Sequence, residues 1–339
     1  MRTLLLVALG AACLALSCGE RPGADGGEVV VYTALDQVFS EPILKDFERQ
    51  TGLRVKPVYD AEDSKTTGLV NRLIAQRGKP DCDVLWNNEV VQTERLAGLG
   101  LLAPYSSPQA ARIPPAFRDP GGRWTGFAAR MRVIIYNTKL ATPEDLPAGL
   151  ADLAAPKWRG RAAIARPFFG TTLTHMTFLY QRWGPDRLGE FLRALRANET
   201  ALCPGNAAVR DLVAGGERAF GLTDTDDAYA AIQAGRPVAV LVPDAADGAV
   251  LMPNTVSLVT GCPHAEAGRK LIDYLLSPEV ERRLARGASA QIPLGTDLAS
   301  EKTPWDDLRH APAMTVDLPR AAASVPEVVD LMQKAGMDR

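Results

Sequence analysis

The sequence VVVYTALDQVFSEPILKDFERQTG, which occupies residues 29–52, combines a short apolar run with a helical pattern. The β-branched residues at its start predict a buried strand. Ile43 and Phe47 then lie at helical spacing, and Gly52 is a typical helix stop. This stretch therefore predicts a strand followed directly by an amphipathic helix, which is the first half of an α/β unit.

The pattern continues through two more strands. Residues 53–59 (LRVKPVY) are the second predicted strand and the apolar residues 84–86 (VLW) the third, and a helical stripe over residues 69–74 separates them. Such a βαβαβ run predicts a parallel sheet, and parallel sheets bind ligands beyond the carboxyl ends of their strands. The loops at that edge carry polar side chains, namely Asp36, Asp60, Glu62, Asp63, Asn88 and Glu89.

A second α/β unit follows an apolar strand, RVIIY (132–136), which we interpret as a hinge crossing. The predicted fold class is α/β, with two lobes, parallel-dominated sheets flanked by helices, and hinge crossings between the lobes. The predicted boundaries are lobe 1 over 28–131, lobe 2 over 132–254, a return to lobe 1 over 255–311, and a C-terminal tail helix over 312–339 that packs on lobe 2. Two such lobes enclose a cleft that closes on a ligand by hinge motion.

The N-terminal sequence predicts an export signal. Arg2 precedes an apolar run over residues 4–16, and Ala15-Leu16-Ser17-Cys18 resembles a lipobox, in which the Cys18 thiol takes a lipid. Residues 1–18 are thus a predicted lipoprotein signal peptide. Residues 19–27 (GERPGADGG) are a predicted flexible tether. The alternative is an ordinary cleaved signal with an incidental cysteine. Either way we expect a cell-envelope location, periplasmic or extracytoplasmic. With the lipobox interpretation, lipid is the sole membrane anchor.

The amino-acid composition narrows the classes of binding partner and of chemistry that the protein can have. The net charge of −2 with interspersed signs argues against nucleic acid as a partner, and we expect a monomer. Three cysteines follow the leader; Cys203 and Cys262 are the candidate disulfide, with isolated thiols as the equal alternative. The chain lacks H-E-x-x-H and G-x-S-x-G motifs, and His175 lies within a helical pattern that favours packing, so we expect no enzyme and no catalytic cofactor.

The order of several short motifs resembles the extracellular solute-binding proteins of ABC importers, in their ferric-iron-binding (transferrin-like) branch, family 1. Besides residues 29–52, the motifs are DVLWNNE (83–89), RMRVIIYNT (130–138), PKWRGR (156–161), FGLTDTDDA (220–228), KLIDYLLSPEVE (270–281) and QKAGM (333–337). The resemblance implies a type II periplasmic-binding-protein fold. It also implies a non-enzymatic role in transport, namely capture of Fe(III) with a synergistic anion and delivery to an ABC permease.

In the iron-binding members, oxygen donors from both lobes hold Fe(III), and two adjacent tyrosines are among them. The resemblance places Asp36 where a histidine ligand often occurs, and Asn88 where a carboxylate often occurs, with Glu89 beside it. The tyrosine pair maps onto Thr225 and Asp226, which is a departure from the family pattern. Asp36 and Asp226 are the candidate metal ligands. Tyr229 could offer a phenolate, although packing is the simpler role for a tyrosine inside a helix.

The anion half of the site is better preserved. Gly170, Thr171 and Thr172 open one predicted helix and Asn206 opens another, so backbone N–H groups at both helix starts can bind phosphate or carbonate. Thr223 ends a strand at the same edge. Arg130 or Arg132 could supply a positive charge. For Thr171 and Asn206, simple helix capping is the competing interpretation.

The acidic cluster leaves the ligand open. Asp224, Asp226 and Asp227 lie at a strand-to-helix junction, where carboxylates cap helices. With Asp36 opposite, they also suit a metal ion or a polyamine. The competing hypotheses are therefore Fe(III) with an anion, an organic phosphate or phosphonate, a polyamine, and, from a different class, a secreted hydrolase.

Overall fold

The computed structural model describes residues 27–60, 67–243 and 247–338. The strands are β1 (Glu28–Thr33), β2 (Arg54–Tyr59), β3 (Val84–Asn87), β4 (Leu102–Ala103), β5 (Thr125–Asn137), β6 (Ala162–Ala165), β7 (Ala201–Cys203), β8 (Phe220–Asp224), β9 (Val238–Leu241) and β10 (Leu251–Val259). The α-helices are α1 (Gln37–Thr51), α2 (Thr67–Ala75), α3 (Val91–Gly98), α4 (Gly170–Ala197), α5 (Asn206–Gly215), α6 (Thr225–Gln233), α7 (Ala265–Leu275), α8 (Pro278–Arg286), α9 (Leu318–Ala323) and α10 (Val325–Lys334). The predicted signal peptide with Cys18, tether residues 19–26, and Glu62 and Asp63 lie outside the described residues.

The first sheet has the strand order β2-β1-β3-β10-β5, with β4 added to β10. Strand β1 pairs in parallel with β2 and β3, and its Val31 lies opposite Val84. The predicted unit of residues 29–52 is present, because Val29, Val31, Ile43 and Phe47 are all buried in one core. Full burial of such side chains stabilises the fold by about 1.5–3 kcal/mol each.

The second sheet has the order β5-β8-β6-β7, with β9 also paired to β5. Strand β5 is shared between the sheets: residues 125–131 pair with β10, and residues 132–137 pair with β8 and β9. The predicted crossing at 132–136 is therefore the second half of one long strand. Strands β5 and β10 run antiparallel to their neighbours, so both sheets are mixed. The expected parallel pairing is limited to β1 with β2 and β3, and to β6 with β7 and β8.

The C-terminal region contacts both lobes. Helix α10 packs on α4, whereas α9 packs on α3 as well as on α4. Trp305 packs edge-on against Tyr229, with ring centroids 6.0 Å apart, and its Nε1 donates to the carbonyl oxygen of Ala290 at 2.8 Å, so it contacts segments of both predicted lobes. The exact lobe boundaries stay a prediction.

Two local features refine the sequence analysis. The predicted helices at 171–183 and around 188–195 are the two arms of α4, which is kinked at Gly184 (φ 82°, ψ 168°). The candidate disulfide is wrong: Cys203 and Cys262 are free and pack in different parts of the core. Among the residues that the structure describes, we find no helix with the length and apolarity needed to span a bilayer.

Candidate ligand-binding cleft

A polar cleft lies between the loops that follow β1 and β3 and the N-terminal ends of helices in the second lobe. It encloses about 620 Å³ of empty space, part of which is open to solvent. Its lining residues are Leu35, Asp36, Asn88, Arg130, Ala165, Phe169, Gly170, Thr171, Thr172, Gly205, Asn206, Ala207, Asp224, Asp226 and Asp227. Eight of these are residues that the sequence analysis singled out for ligand binding: Asp36, Asn88, Arg130, Gly170, Thr171, Thr172, Asn206 and Asp226.

Helices α4 and α5 both begin at the cleft, and no side chain caps either of them. Their N-cap residues are Phe169 and Gly205, which have extended backbone and make no side-chain capping bond. Asn206 is thus the first helical residue of α5 and not its cap, which corrects one interpretation of its role. The N-terminal N–H groups of two helices face one polar space, which is a favourable arrangement for an anion.

Beneath these helix ends lies a buried ion pair. Arg132 is fully buried and donates from Nη1 to Asp224 Oδ1 at 2.8 Å, to Thr171 Oγ1 at 2.9 Å and to Asn206 Oδ1 at 3.1 Å. Its Nη2 donates to Thr172 Oγ1 at 3.2 Å. This one guanidinium therefore fixes both helix starts relative to β5 and β8.

Asp224 completes that network from the end of β8. Its Oδ2 accepts from Thr171 Oγ1 at 2.7 Å and from Asn206 Nδ2 at 2.9 Å. Burial works to raise the pKa of Asp224, but the positive charges of Arg132 and Arg130 outweigh it, so the pKa is lowered and the carboxylate stays ionised. The side chains of Thr171 and Asn206 are occupied by this network, which leaves the backbone N–H groups for a ligand.

Arg130 is the second buried cation of the cleft. Its Nη1 lies 3.7 Å from Asp226 Oδ2 and 3.8 Å from Asp224 Oδ2, and its Nη2 donates to the carbonyl oxygen of Asn88. Burial opposes its charge, but the neighbouring carboxylates of Asp226 and Asp224 outweigh that effect and raise its pKa. Within the described part of the chain, Arg130 Nε and Asn88 Oδ1 are buried without a hydrogen-bond partner. Beside the cleft, Arg130 Nε can therefore donate one more hydrogen bond and Asn88 Oδ1 can accept one.

Carboxylates line the remaining wall. One oxygen each of Asp224, Asp226 and Asp227 lies within 4.8 Å of the others, and Asp36 lines the cleft from the loop after β1. Carboxylates accept hydrogen bonds from hydroxyl or ammonium groups and can also bind hard cations. Asp226 and Asp36 are thus placed where a metal or a polar ligand could reach them.

The phenolate expected from the family pattern does not reach the cleft. All seven tyrosines of the sequence lie among the described residues, and none lines it. Tyr229 packs against Trp305 in an apolar cluster, so the simpler packing role is the correct one. The donor set for Fe(III) in this cleft would consist of carboxylates together with a bound anion.

Three residues expected to bind ligand do not line the cleft. Thr225 is fully buried and its Oγ1 accepts from the Met131 N–H at 3.1 Å. Thr223 is also fully buried, and its hydroxyl donates to the Asn206 carbonyl at 3.3 Å. Both hydroxyls therefore bond to the backbone of a neighbouring element, Thr223 to α5 and Thr225 to β5.

Glu89 is the third of these residues. It is fully buried, and its carboxylate accepts from the N–H groups of Val91 (2.9 Å) and Gln92 (3.1 Å), from Asn87 Nδ2 (3.1 Å) and from Thr174 Oγ1. These bonds lower the pKa of Glu89, yet burial has the larger effect and raises it. Its position at the start of α3 accounts for this role, since the first N–H groups of a helix attract a carboxylate.

Sequence analysis missed the cleft residues Leu35, Ala165, Phe169, Gly205 and Ala207, and it considered Asp224 and Asp227 only as part of an acidic cluster. Asp224 could have been found, because it directly follows Thr223, which the sequence analysis placed at a strand end at this edge, and the observed strand β8 ends at Asp224. His175, on α4, is buried behind the Arg132 network. Burial, with a further contribution from the charge of Arg132, lowers its pKa to about 3, so it is neutral at physiological pH.

A family model described as "Bacterial extracellular solute-binding protein" matches residues 89–313. The chain belongs to this family. The solute-binding protein is 24% identical over 339 residues to the "Fe(3+)-binding periplasmic protein" of Serratia marcescens, with 98% of this chain and 97% of that protein covered. Its fold matches that of iron-bound HitA from Pseudomonas aeruginosa with a TM-score of 0.80 at 22% identity, over 91% of this chain and 99% of that one.

The names of the relatives of the solute-binding protein give different ligands. It is 27% identical over 279 residues to the "Putative 2-aminoethylphosphonate-binding periplasmic protein" of Salmonella typhimurium, which covers 80% of this chain and 77% of that protein. The resemblance inferred from the motifs and the two-lobed α/β fold are therefore confirmed. The periplasmic relatives indicate an extracytoplasmic location and a role in transport of a small solute or metal ion to an ABC permease.

Proposed function

We propose that this solute-binding protein captures an organic phosphate or phosphonate in its cleft and delivers it, chemically unchanged, to an ABC permease. The observation that carries the proposal is that α4 and α5 both open onto the cleft without a capping side chain. The phosphate or phosphonate group would bind the N–H groups at Gly170, Thr171 and Thr172, and those at Asn206 and Ala207.

The charged side chains that line the cleft beside the two helix starts favour an organic ligand. Arg130 attracts an anion, while Asp36, Asp226 and Asp227 would accept hydrogen bonds from hydroxyl or ammonium groups of the ligand. An organic phosphate or phosphonate that carries such donors matches both walls. The relative from Salmonella typhimurium bears a name of this ligand class.

Fe(III) with phosphate or carbonate is the second candidate. The cluster of Asp224, Asp226 and Asp227 favours it, as do the iron-binding relatives. Asp36 and Asp226 would then be ligands. Arg130 counts against a bare trivalent cation, since its guanidinium lies 3.7 Å from Asp226, so a synergistic anion would have to offset it.

Titration calorimetry separates the candidates. The purified protein is titrated with 2-aminoethylphosphonate and, separately, with Fe(III) citrate, each with and without excess EDTA. We expect phosphonate binding that EDTA leaves unchanged and that Asp226→Asn weakens, with Asp330→Asn on α10 as the control for loss of an acidic side chain far from the cleft. Binding of iron alone, abolished by EDTA, would support the second candidate, and binding of neither would contradict both.

The anchor is a separate part of the proposal. We propose that Cys18 carries the lipid that holds the protein at the membrane. Mass spectrometry of the mature N-terminus tests this: a lipid-modified Cys18 supports it, and an unmodified N-terminus in a soluble fraction contradicts it.

A further inference from the structure

Glu89 connects the two walls of the cleft without lining it. It follows β3 of the first sheet, and its carboxylate accepts the hydroxyl of Thr174 on α4 of the second lobe. Both side chains are at most 1% exposed. A hydrogen bond that is sealed from water therefore joins the loop after β3 to the first turns of α4.

Each partner of this bond is next to a cleft residue. Asn88, which precedes Glu89, lines the cleft, and its Oδ1 is buried without a hydrogen-bond partner among the described residues. Thr174 lies one helical turn after Thr171, at the helix start proposed to bind an anion. The bond therefore sets the distance between Asn88 and the N-terminus of α4.

The remaining bonds of Glu89 fix it firmly to lobe 1. It accepts from the N–H groups of Val91 and Gln92 and from Asn87 Nδ2, so its carboxylate is oriented before it meets Thr174. The Thr174 hydroxyl, by contrast, is the part of this arrangement that belongs to the opposite lobe. A hinge motion that moves α4 away from β3 has to break this bond and hydrate a buried carboxylate.

We propose that Glu89 is a positioning residue that holds the lobes in the conformation described here, through its hydrogen bond to Thr174. The inference deepens the proposed function, because it specifies what holds the cleft walls together before ligand arrives. Loss of the hydrogen bond between Glu89 and Thr174 shifts the population of the ligand-free protein toward open conformations. Loss of one buried hydrogen bond of ordinary net strength shifts this population by about fivefold.

The test compares two threonines of α4. Thr174→Val removes the hydroxyl that reaches Glu89, whereas Thr177→Val removes an equally buried hydroxyl that donates to the Leu173 carbonyl of its own helix at 2.9 Å. Small-angle X-ray scattering of the ligand-free proteins measures the radius of gyration, and hydrogen exchange measures protection of the first turn of α4. We expect a larger radius and faster exchange for Thr174→Val only, with Thr174→Ser restoring the wild-type values.

Equal scattering and exchange for Thr174→Val, Thr177→Val and the wild type would overturn the proposal, and so would an increase that Thr174→Ser does not reverse. If Thr174→Val loses its helical circular dichroism, Thr174→Ala, which adds no branched side chain, takes its place with the same expected and contrary results. Because no ligand is present in this experiment, its result is independent of whether the cleft binds a phosphonate.

Discussion

Arg132 and Asp224 are 92 positions apart in the sequence, yet Arg132 Nη1 lies 2.8 Å from Asp224 Oδ1 in a site from which water is almost completely excluded. This pair holds the first residues of α4 and α5 through Thr171 and Asn206. The uncapped helix ends that form the proposed anion site therefore depend on one buried ion pair for their relative position.

Replacement of Asp224 by Asn should destabilise the fold strongly. The variant leaves the Arg132 charge buried without its counter-ion, which costs about 3–5 kcal/mol in free energy of unfolding. Urea denaturation measures this loss. In the matched control, Glu199→Gln breaks an exposed ion pair with Arg159 and should cost less than about 1 kcal/mol; equal losses for the two variants would contradict the structural role of Asp224.

A methyl group at Gly170 should weaken anion binding. Gly170 has φ +59°, which strains any residue with a Cβ by about 1–2 kcal/mol, and the backbone there lines the cleft. Calorimetry with 2-aminoethylphosphonate should show affinity lowered by about tenfold or more for Gly170→Ala.

The control for backbone strain is Gly235→Ala, at φ +66° beyond the end of α6, where a Cβ also meets open space. It should lower stability by a similar amount and leave affinity unchanged. If both variants bind the phosphonate as tightly as the wild type, the N-terminus of α4 is not the anion site.

His175 should make the protein sensitive to mild acid. Its pKa falls from 6.5 to about 3 on folding, so the unfolded chain binds a proton below pH 6.5 that the folded protein does not take up until about pH 3. Stability is therefore lost as the pH falls from 6.5 toward 3, by about 2 kcal/mol at pH 5.

Chemical denaturation at pH 7 and pH 5 measures that loss. His175→Gln should reduce the difference between the two pH values by about 2 kcal/mol, whereas His310→Gln, at an exposed position, should keep the wild-type difference. An unchanged difference in His175→Gln would show that the histidine is protonated in the folded protein.

Glu281 should contribute strongly to stability where α8 meets β5. It is fully buried on α8 and accepts from Arg112 Nη1 (2.5 Å) and from the N–H groups of Ala128 (2.8 Å), Leu294 (2.8 Å) and Gly295 (3.2 Å). Glu281→Gln removes the charge and one acceptor, and we expect a loss of about 2–4 kcal/mol in urea denaturation. Glu279→Gln, exposed on the same helix, should change stability little; a loss as large as that of Glu281→Gln would refute this role.

Reducing agent should not change the thermal stability of the protein. Cys82, Cys203 and Cys262 are free thiols, whereas a disulfide would contribute about 2–5 kcal/mol. Calorimetric melting temperatures with and without dithiothreitol should agree within about 1 °C. A marked fall in melting temperature on reduction would indicate a bridge that this structure does not contain.

The sequence by itself determined the order of strands and helices, the crossing strand and the edge of the sheet at which the polar cleft lies. These follow from the spacing of apolar residues and from helix-start and helix-stop residues such as Gly170 and Gly52, which act over a few neighbouring positions. The family motifs predicted the class of protein. Together with the strand-end and helix-start patterns, they also predicted that Asp36, Asn88 and Thr171 lie at the cleft.

Only the tertiary structure decided which way individual side chains face. Glu89 and Thr225 lie beside cleft residues in the sequence, but they satisfy N–H groups of α3 and β5 instead, and Tyr229 is drawn into an apolar cluster with Trp305. The pairing of Arg132 with Asp224 likewise depends on strands β5 and β8 meeting in a sheet. Burial and hydrogen-bond partners are properties of contacts between distant segments, and no pattern of neighbouring residues specifies them.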